Sequence, residues 1–246
     1  MTTPDAPALV LRREPLEAFK ALLRLARDPD DTSLVFDIVR ALEGPELTRN
    51  YARFLASPLG RARPPSLAAT LADRGALRAM PEGSLGRAYL AFAERNGIQA
   101  EGLVAASQPE GYARLEDPGL RAFAERLRDQ HDLWHVVTGY GPDVVGELSL
   151  LAFTFAQTRT TGIGAILGAG LFLTLPFVRR GGAARATILE GGRRGREAVW
   201  LPAAPWEELL EKPLDAVRLR LRIGPPPRYR AVFTEDLRFT RAHATA

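Results

Sequence analysis

Cysteine is absent from the 246 residues, which excludes disulfide bridges, thiolate metal sites and a thiol nucleophile together. Histidine occurs three times, at His131, His135 and His243, so a site built from many imidazoles is excluded too. Lysine is nearly missing. Lys20 and Lys212 carry all of it, and arginine supplies the remaining positive charge of a chain whose net charge is only +4. A bias toward arginine, alanine and glycine follows from GC-rich coding. No arginine block is interleaved with aromatics in a nucleic-acid motif, so nucleic acid is not an expected partner. No Gly-x-Ser-x-Gly element offers a serine nucleophile. The GxG within GIGAILGAG follows no strand, so it lacks the setting of a phosphate or dinucleotide loop. The first twenty residues, MTTPDAPALVLRREPLEAFK, lack the basic start and apolar core of a secretory signal. They also carry acids that organelle transit peptides avoid.

What is present suits a globular chain of one large domain or two small ones. Period-two alternation is confined to Tyr229–Phe233, whereas glycine and proline cut the rest into helical lengths. Pro15 opens a helix with Leu16, Phe19, Leu22 and Leu23 on one face. Asp31 or Thr32 caps a second helix, which ends at Gly44-Pro45. A third runs from about Glu46 to Ala56, followed by the loop SPLGRARPP. Shorter helices follow near 66–74 and 84–96. Asp117-Pro118 pairs a cap with a favoured first residue, and its helix is expected to last to about Thr138. The expected fold class is mainly α: an irregular helical bundle forming a single domain.

The most informative stretch is His131–Glu147, HDLWHVVTGYGPDVVGE. His131 and His135 stand four apart, on one helical face, with Asp132 between them and Glu147 after eleven further residues. Gly139 and Gly141 break the helix, and Pro142 is suited to open the next. A second helix folding back would bring Glu147 toward the histidines and give two nitrogen and two oxygen donors for a divalent metal. Paired histidines are commonly plain core or surface residues, but here His131 continues the apolar face of Leu120, Phe123, Leu127 and Trp134. Glu147 lies among Val144, Leu148 and Leu151, where an unpartnered carboxylate costs several kcal/mol. Asp132 is a fourth ligand, an acceptor for an imidazole N–H, or a proton acceptor near substrate. Tyr140 is a second candidate for proton relay, or a packing residue at the helix end.

Two further stretches bear on function. Gly162–Val178 is apolar and uncharged for seventeen residues, at the lower edge of what spans a bilayer. It reads as a buried hairpin, as the lining or lid for a long apolar ligand with Arg179 and Arg180 at its polar end, or, third in rank because of its four glycines and Pro176, as a transmembrane span. Ala183–Trp200 reads as an exposed helix with Arg185, Arg193, Arg194 and Arg196 on or near its surface. That face is either plainly solvated or placed against anionic headgroups.

The stretch around the histidines resembles the signature of the coenzyme Q biosynthesis protein 4 family, His-Asp-x-x-His-x11-Glu, matched here by His131, Asp132, His135 and Glu147. PEGSLGRAYLAF at Pro81–Phe92 is similar to a second segment of that family. WEELLEKPLDAVRLRLRIGPPP at Trp206–Pro227 is similar to its C-terminal helix pair and proline-rich turn. The family's last helix commonly ends in Leu-Arg-Lys-Glu-Leu-Gly-Ile, where this chain has VRLRLRIG. The expected organisation is an N-terminal extension at 1–14, a helical metal- and lipid-binding domain at 15–227, and a C-terminal extension at 228–246.

The resemblance implies a role in ubiquinone biosynthesis on a polyprenylated aromatic acid, with loss of the ring's C1 carboxylate and gain of a hydroxyl there. It implies a divalent ion, zinc by family habit, with iron(II) as the redox alternative. The implied partners are a polyprenyl lipid, a membrane surface and other ubiquinone biosynthesis proteins, with a homodimer also allowed. The N-terminus, with neither kind of signal, makes the bacterial cytoplasm the expected location, and the apolar stretch with its nearby arginines adds peripheral association with the inner membrane. A non-catalytic lipid-binding scaffold is the alternative. A metal-dependent hydrolase ranks third, because Asp132 stands where helical zinc peptidases carry Glu and the only other histidine is His243.

Overall fold

Proline, serine and aspartate set most of the helix starts. A computed structural model of the chain describes residues 13–25, 32–62, 64, 66–98, 115–174 and 181–233. The helices are α1 (Pro15–Leu25), α2 (Thr32–Ala41), α3 (Pro45–Ala56), α4 (Pro58–Ala62), α5 (Leu67–Ala72), α6 (Arg74–Ala79) and α7 (Leu85–Arg95). They continue with α8 (Pro118–Asp129), α9 (His131–Thr138), α10 (Val144–Thr158), α11 (Thr161–Ala169), α12 (Gly181–Glu197), α13 (Trp206–Leu209) and α14 (Leu214–Leu221). The fold is mainly α. Among the described residues the only β feature is an isolated bridge between Ser84 and Pro213, and Tyr229–Phe233 forms no strand.

The central core is assembled from helices distant in sequence. Tyr89, Leu133, Trp134, Phe153, Trp206 and Leu221 are buried in one cluster spanning α7, α9, α10, α13 and α14. Gly83, at φ +75°, turns the chain into α7, and the Ser84 side chain caps that helix by accepting from the Arg87 N–H. The same turn is stitched to the start of α14. Leu85 N donates to Lys212 O, Gly86 N to Leu210 O, and Leu214 N to Gly83 O. The Trp206 indole N–H donates to Gln130 Oε1 at 2.7 Å, so α13 is anchored beside the first histidine.

Several local expectations are corrected by packing. The helix from Pro118 is two helices, α8 and α9, with a turn at Gln130, which is fully buried. Its ψ relaxes to −2° while the Trp206 indole N–H holds its side chain. In α1 the smaller Ala18 and Ala21 face the core, and Leu16 and Phe19 are exposed. Residues 58–62 of the expected loop form α4. The helix from Ser66 breaks at Asp73, whose carboxylate caps α6 through the Ala76 N–H. In the VRLRLRIG ending, Arg222 itself takes the left-handed C-cap conformation, φ +56°, a position that favours glycine.

α12 is not simply an exposed helix. Arg185, Arg193 and Arg196 are exposed, but Arg194 is buried and donates to the carbonyls of Ile223 and Pro225. Ala184, Ile188, Gly191 and Gly195 form a face laid against α10. A Cβ at Gly191 would stand 2.3 Å from Ser149 O, and one at Gly195 2.5 Å from Phe153 O. The small residues let the two backbones meet.

The apolar stretch after α10 is described to residue 174. There it is one helix, α11, running into a π-helical turn at Gly170–Thr174. Residues 175–178, Arg179 and Arg180 lie outside the described residues. Gly162 lies against α2, where a Cβ would be 2.6 Å from Val39 Cα. No helix of the described residues is long and apolar enough to cross a membrane.

The start of α11 has no side-chain cap of its own. Glu46 of α3, which is buried, supplies it: Oε1 accepts from Thr161 N at 3.0 Å and Oε2 from Arg13 at 2.9 Å. Burial pushes this carboxyl up, but hydrogen bonds from Thr161 and then Arg13 outweigh it and hold Glu46 below the usual carboxylate range. A depressed carboxyl contributes stability above its unfolded pKa, and that contribution is lost as pH falls through the folded value. Glu46→Gln is therefore expected to cost about 1–2 kcal/mol at neutral pH, the scale of a lost cap with a charged acceptor. The difference from the parent should shrink below about pH 4. Urea unfolding at pH 7 and pH 3.5 measures both; an equal difference at the two pH values would contradict the assignment.

Candidate metal centre

Two short helices and a tight loop bring the donors together. α9 presents His131 and His135 four residues apart on one face. Gly139, at φ +78°, ends it in a left-handed C-cap. α10 starts at Val144 rather than at Pro142. Its N-cap is Asp143, which accepts from Val145 N and Gly146 N. One turn into α10 stands Glu147.

His131, His135 and Glu147 each offer one ligand atom, and the three atoms lie within 4.8 Å of one another. His135 Nε2 is 3.2 Å from His131 Nε2 and 3.2 Å from Glu147 Oε1, and His131 Nε2 is 3.8 Å from Glu147 Oε2. His135 is nearly inaccessible, with 2% of its side chain exposed, while His131 and Glu147 keep 40% and 39%. The cluster has a dry side and an open side. Asp132 is half-buried beside it but is not among the converging three.

The tautomer of His135 follows from its partner. Its Nδ1 lies 2.9 Å from the Tyr140 carbonyl, which can only accept, so Nδ1 carries the proton and neutral His135 turns a lone pair toward the cluster. His131 Nε2 and a carboxylate oxygen face that lone pair. Electron pairs converging in this way require a proton or a cation between them. Without a cation, burial and His135 both press His131 below its ordinary value. Burial would press His135 down as well, but Glu147 reverses this and raises it. Burial would raise Glu147, yet His135 and then His131 hold it below the usual carboxylate range. A divalent ion fits the donor set. Two atoms each about 2.0–2.1 Å from a tetrahedral ion lie about 3.3 Å apart, close to the separations about His135.

The surroundings hold these donors in place. Phe92 of α7 stacks on the His135 ring, centroids 5.4 Å apart and planes 21° from parallel. Arg218 of α14 donates to the carbonyls of Val136 and Val137 at 3.1 and 3.0 Å, satisfying acceptors in the last turn of α9. Tyr140 contributes its carbonyl. Its buried ring lies under the Arg194 guanidinium, and the charged groups acting on its hydroxyl, Arg194, Glu190 and Arg193, belong to α12. Tyr229 donates to Asp143 and accepts from Gly141 N. Sequence reasoning missed Asp143 and Tyr229. An aspartate before an apolar helical run is a readable cap signal, but nothing local marks Tyr229.

Comparison with known proteins concerns the chain as a whole. The family model described as coenzyme Q (ubiquinone) biosynthesis protein Coq4 matches residues 7–227. The ubiquinone biosynthesis protein coq4, mitochondrial, of Aspergillus clavatus is 32% identical over 187 residues, 72% of this chain and 61% of its own. Its counterpart in Talaromyces stipitatus is 31% identical over 182 residues, covering 72% and 60%. The chain thus spans about three fifths of the length of these relatives. A crystal structure of a candidate ubiquinone biosynthesis protein from Nostoc punctiforme has the same fold. Its TM-score is 0.60 at 22% identity, covering 87% of this chain and 100% of that one. The relatives named as mitochondrial overturn the expected bacterial cytoplasmic location at the inner membrane. The absence of cysteine excludes disulfides wherever the chain resides, and so selects no compartment.

Proposed function

This chain belongs to the Coq4 family of coenzyme Q (ubiquinone) biosynthesis proteins, and from that premise we propose that it acts in ubiquinone biosynthesis on a polyprenylated aromatic acid held beside a divalent ion. The observation that carries the reading is the convergence of His131, His135 and Glu147 with a half-exposed side. Three protein ligands leave a coordination position open, as catalytic sites do and closed structural sites do not. The ion, zinc in this reading and iron(II) as the alternative, would supply Lewis acidity toward a ring carboxylate or phenolate oxygen.

The remaining roles fall to side chains. His135, fixed by the Tyr140 carbonyl and the Phe92 ring, is the rigid donor. Asp132, beside the cluster, is the proton acceptor for a ring hydroxyl. The apolar stretch follows on α10 and α11, where Leu148 packs with Leu151, Leu167 and Leu171, and Phe172 is 81% exposed. This surface is suited to an isoprenoid tail, about 0.8 kcal/mol per buried CH2 before ordering costs. A membrane surface would then be the source of substrate, and other ubiquinone biosynthesis proteins its neighbours in the sequence of reactions. Replacing the C1 carboxylate by a hydroxyl releases CO2 and removes two electrons from the ring, so an oxidant such as dioxygen must enter from outside the chain.

The test incubates metal-defined protein with a prenylated 4-hydroxybenzoate labelled in its C1 carboxylate, with an oxidant and partner enzymes, and follows labelled CO2. Asp132→Asn is expected to keep its ion but to slow CO2 release by about 100-fold or more, the scale of a lost general base. Loss of the ion from Asp132→Asn would make that carboxylate a ligand instead. If the parent releases no CO2 with zinc, iron or another divalent ion, the catalytic reading fails. A non-catalytic lipid-binding scaffold then takes its place, with mass spectrometry of co-purified lipid as its check.

A further inference from the structure

The loop 139–143 joins the helix of the histidines to the helix of Glu147, and it is gripped along its length by the segment that follows α14. Arg194, buried in α12, holds the start of that segment through Ile223 O and Pro225 O at 3.0–3.2 Å. Pro226 then lies against Gly139, where an added Cβ would stand 2.6 Å from Pro226 Cβ. Tyr229 Oη donates to Asp143 Oδ2 at 2.7 Å and accepts from Gly141 N at 2.8 Å. Val232 closes the segment from both sides: its N–H donates to Asp143 Oδ1 at 3.0 Å, and its carbonyl accepts from Val144 N at 2.8 Å. Its side chain is buried with Val145, Leu148, Ala152 and Ile188, between α10 and α12.

We infer that Ile223–Val232 is a strap that sets the separation of the two halves of the metal centre, with Tyr229 as its positioning residue. The inference rests on the proposed ion site and assigns a part to residues past 227, where the family match ends. Asp143 transmits the effect. Its carboxylate takes four donors, two from the first turn of α10 and two from the strap. Glu147 N donates to Asp143 O at 2.7 Å, so Glu147 sits one rigid turn from the residue the strap grips. His135 is tied to the same loop through Tyr140 O. Freeing the strap lets Glu147 and His135 drift apart without touching either side chain.

The test measures zinc affinity of the full-length chain by competition with a chromogenic chelator. Tyr229→Phe is expected to bind zinc about 10- to 100-fold more weakly, as loss of a partner behind a metal ligand does. Amide exchange at Gly141 and Val144 in the metal-free protein should quicken. A purely structural role would lower the melting temperature without moving the zinc affinity of the folded chain. Glu46→Gln, destabilising at a different helix start, is the control for that and should bind zinc as the parent does. Should Tyr229→Phe fold poorly, Asp143→Asn keeps a cap oxygen for α10, removes the acceptor for the Tyr229 hydroxyl, and should show the same loss. Parental affinity in the folded variants, with zinc lost from Glu147→Ala, would overturn the strap and leave the ion site standing. Parental affinity in Glu147→Ala would overturn both.

Discussion

His135→Ala should leave the purified protein with less than about a tenth of the divalent ion the parent retains, and Glu147→Ala should do the same. His135 is the donor in contact with both others, at 3.2 Å to His131 Nε2 and 3.2 Å to Glu147 Oε1, and it is the most enclosed of the three. Its removal leaves one imidazole and one carboxylate, both partly exposed, as the remaining donors. Glu147 brings the only carboxylate of the converging set, and hence the only negative charge that set offers to balance the cation. Elemental analysis after dialysis against a weak chelator reads the result directly. Stoichiometric metal in both variants would sink the site.

The other large effect is mechanical. Gly191→Ala and Gly195→Ala should each destabilise the fold by about 1–3 kcal/mol, although alanine is the better helix former by about 1 kcal/mol. The added Cβ would stand 2.3 Å from Ser149 O in one case and 2.5 Å from Phe153 O in the other. These are backbone atoms inside a hydrogen-bonded helix and cannot swing aside. Repulsion therefore outweighs propensity, and α12 is driven off α10, the helix that carries Glu147. Gly168 in α11 provides the opposite case. A Cβ there meets nothing among the described residues within 4 Å, so propensity acts alone and Gly168→Ala should gain about 0.5–1 kcal/mol. Chemical denaturation of the three variants decides it. Stabilisation by Gly191→Ala or Gly195→Ala would mean that the two helices do not touch as described.

Helix starts were readable because they are chemical and local. Pro15, Ser84 and Asp117-Pro118 open α1, α7 and α8 where a missing N–H or a side-chain oxygen predicts it. The buried faces were less readable, because periodicity names a stripe without saying which neighbour arrives. In α1 alanines face inward and Leu16 and Phe19 outward, since a close partner helix selects small residues. Arg194 reads as one more solvated arginine, yet it is buried because the carbonyls of Ile223 and Pro225 converge on it from the far end of the chain. The pair Gly191 and Gly195, four apart, carried a sign of close helix contact that reading Ala183–Trp200 as an exposed helix passed over.

By itself the sequence determined the donor types and their spacing: two imidazoles on one helical face, a reversing loop, and a carboxylate on the next helix. That follows from helix geometry and glycine punctuation, which act over a few residues. Tertiary structure alone decided that His131, His135 and Glu147 converge while Asp132 stands aside, because the outcome depends on the crossing of α9 and α10. It also decided that Phe92, Arg218 and Tyr229 hold that crossing. These residues are separated from the histidines by tens of positions, and only packing the whole core around Trp134 and Trp206 brings them to the site.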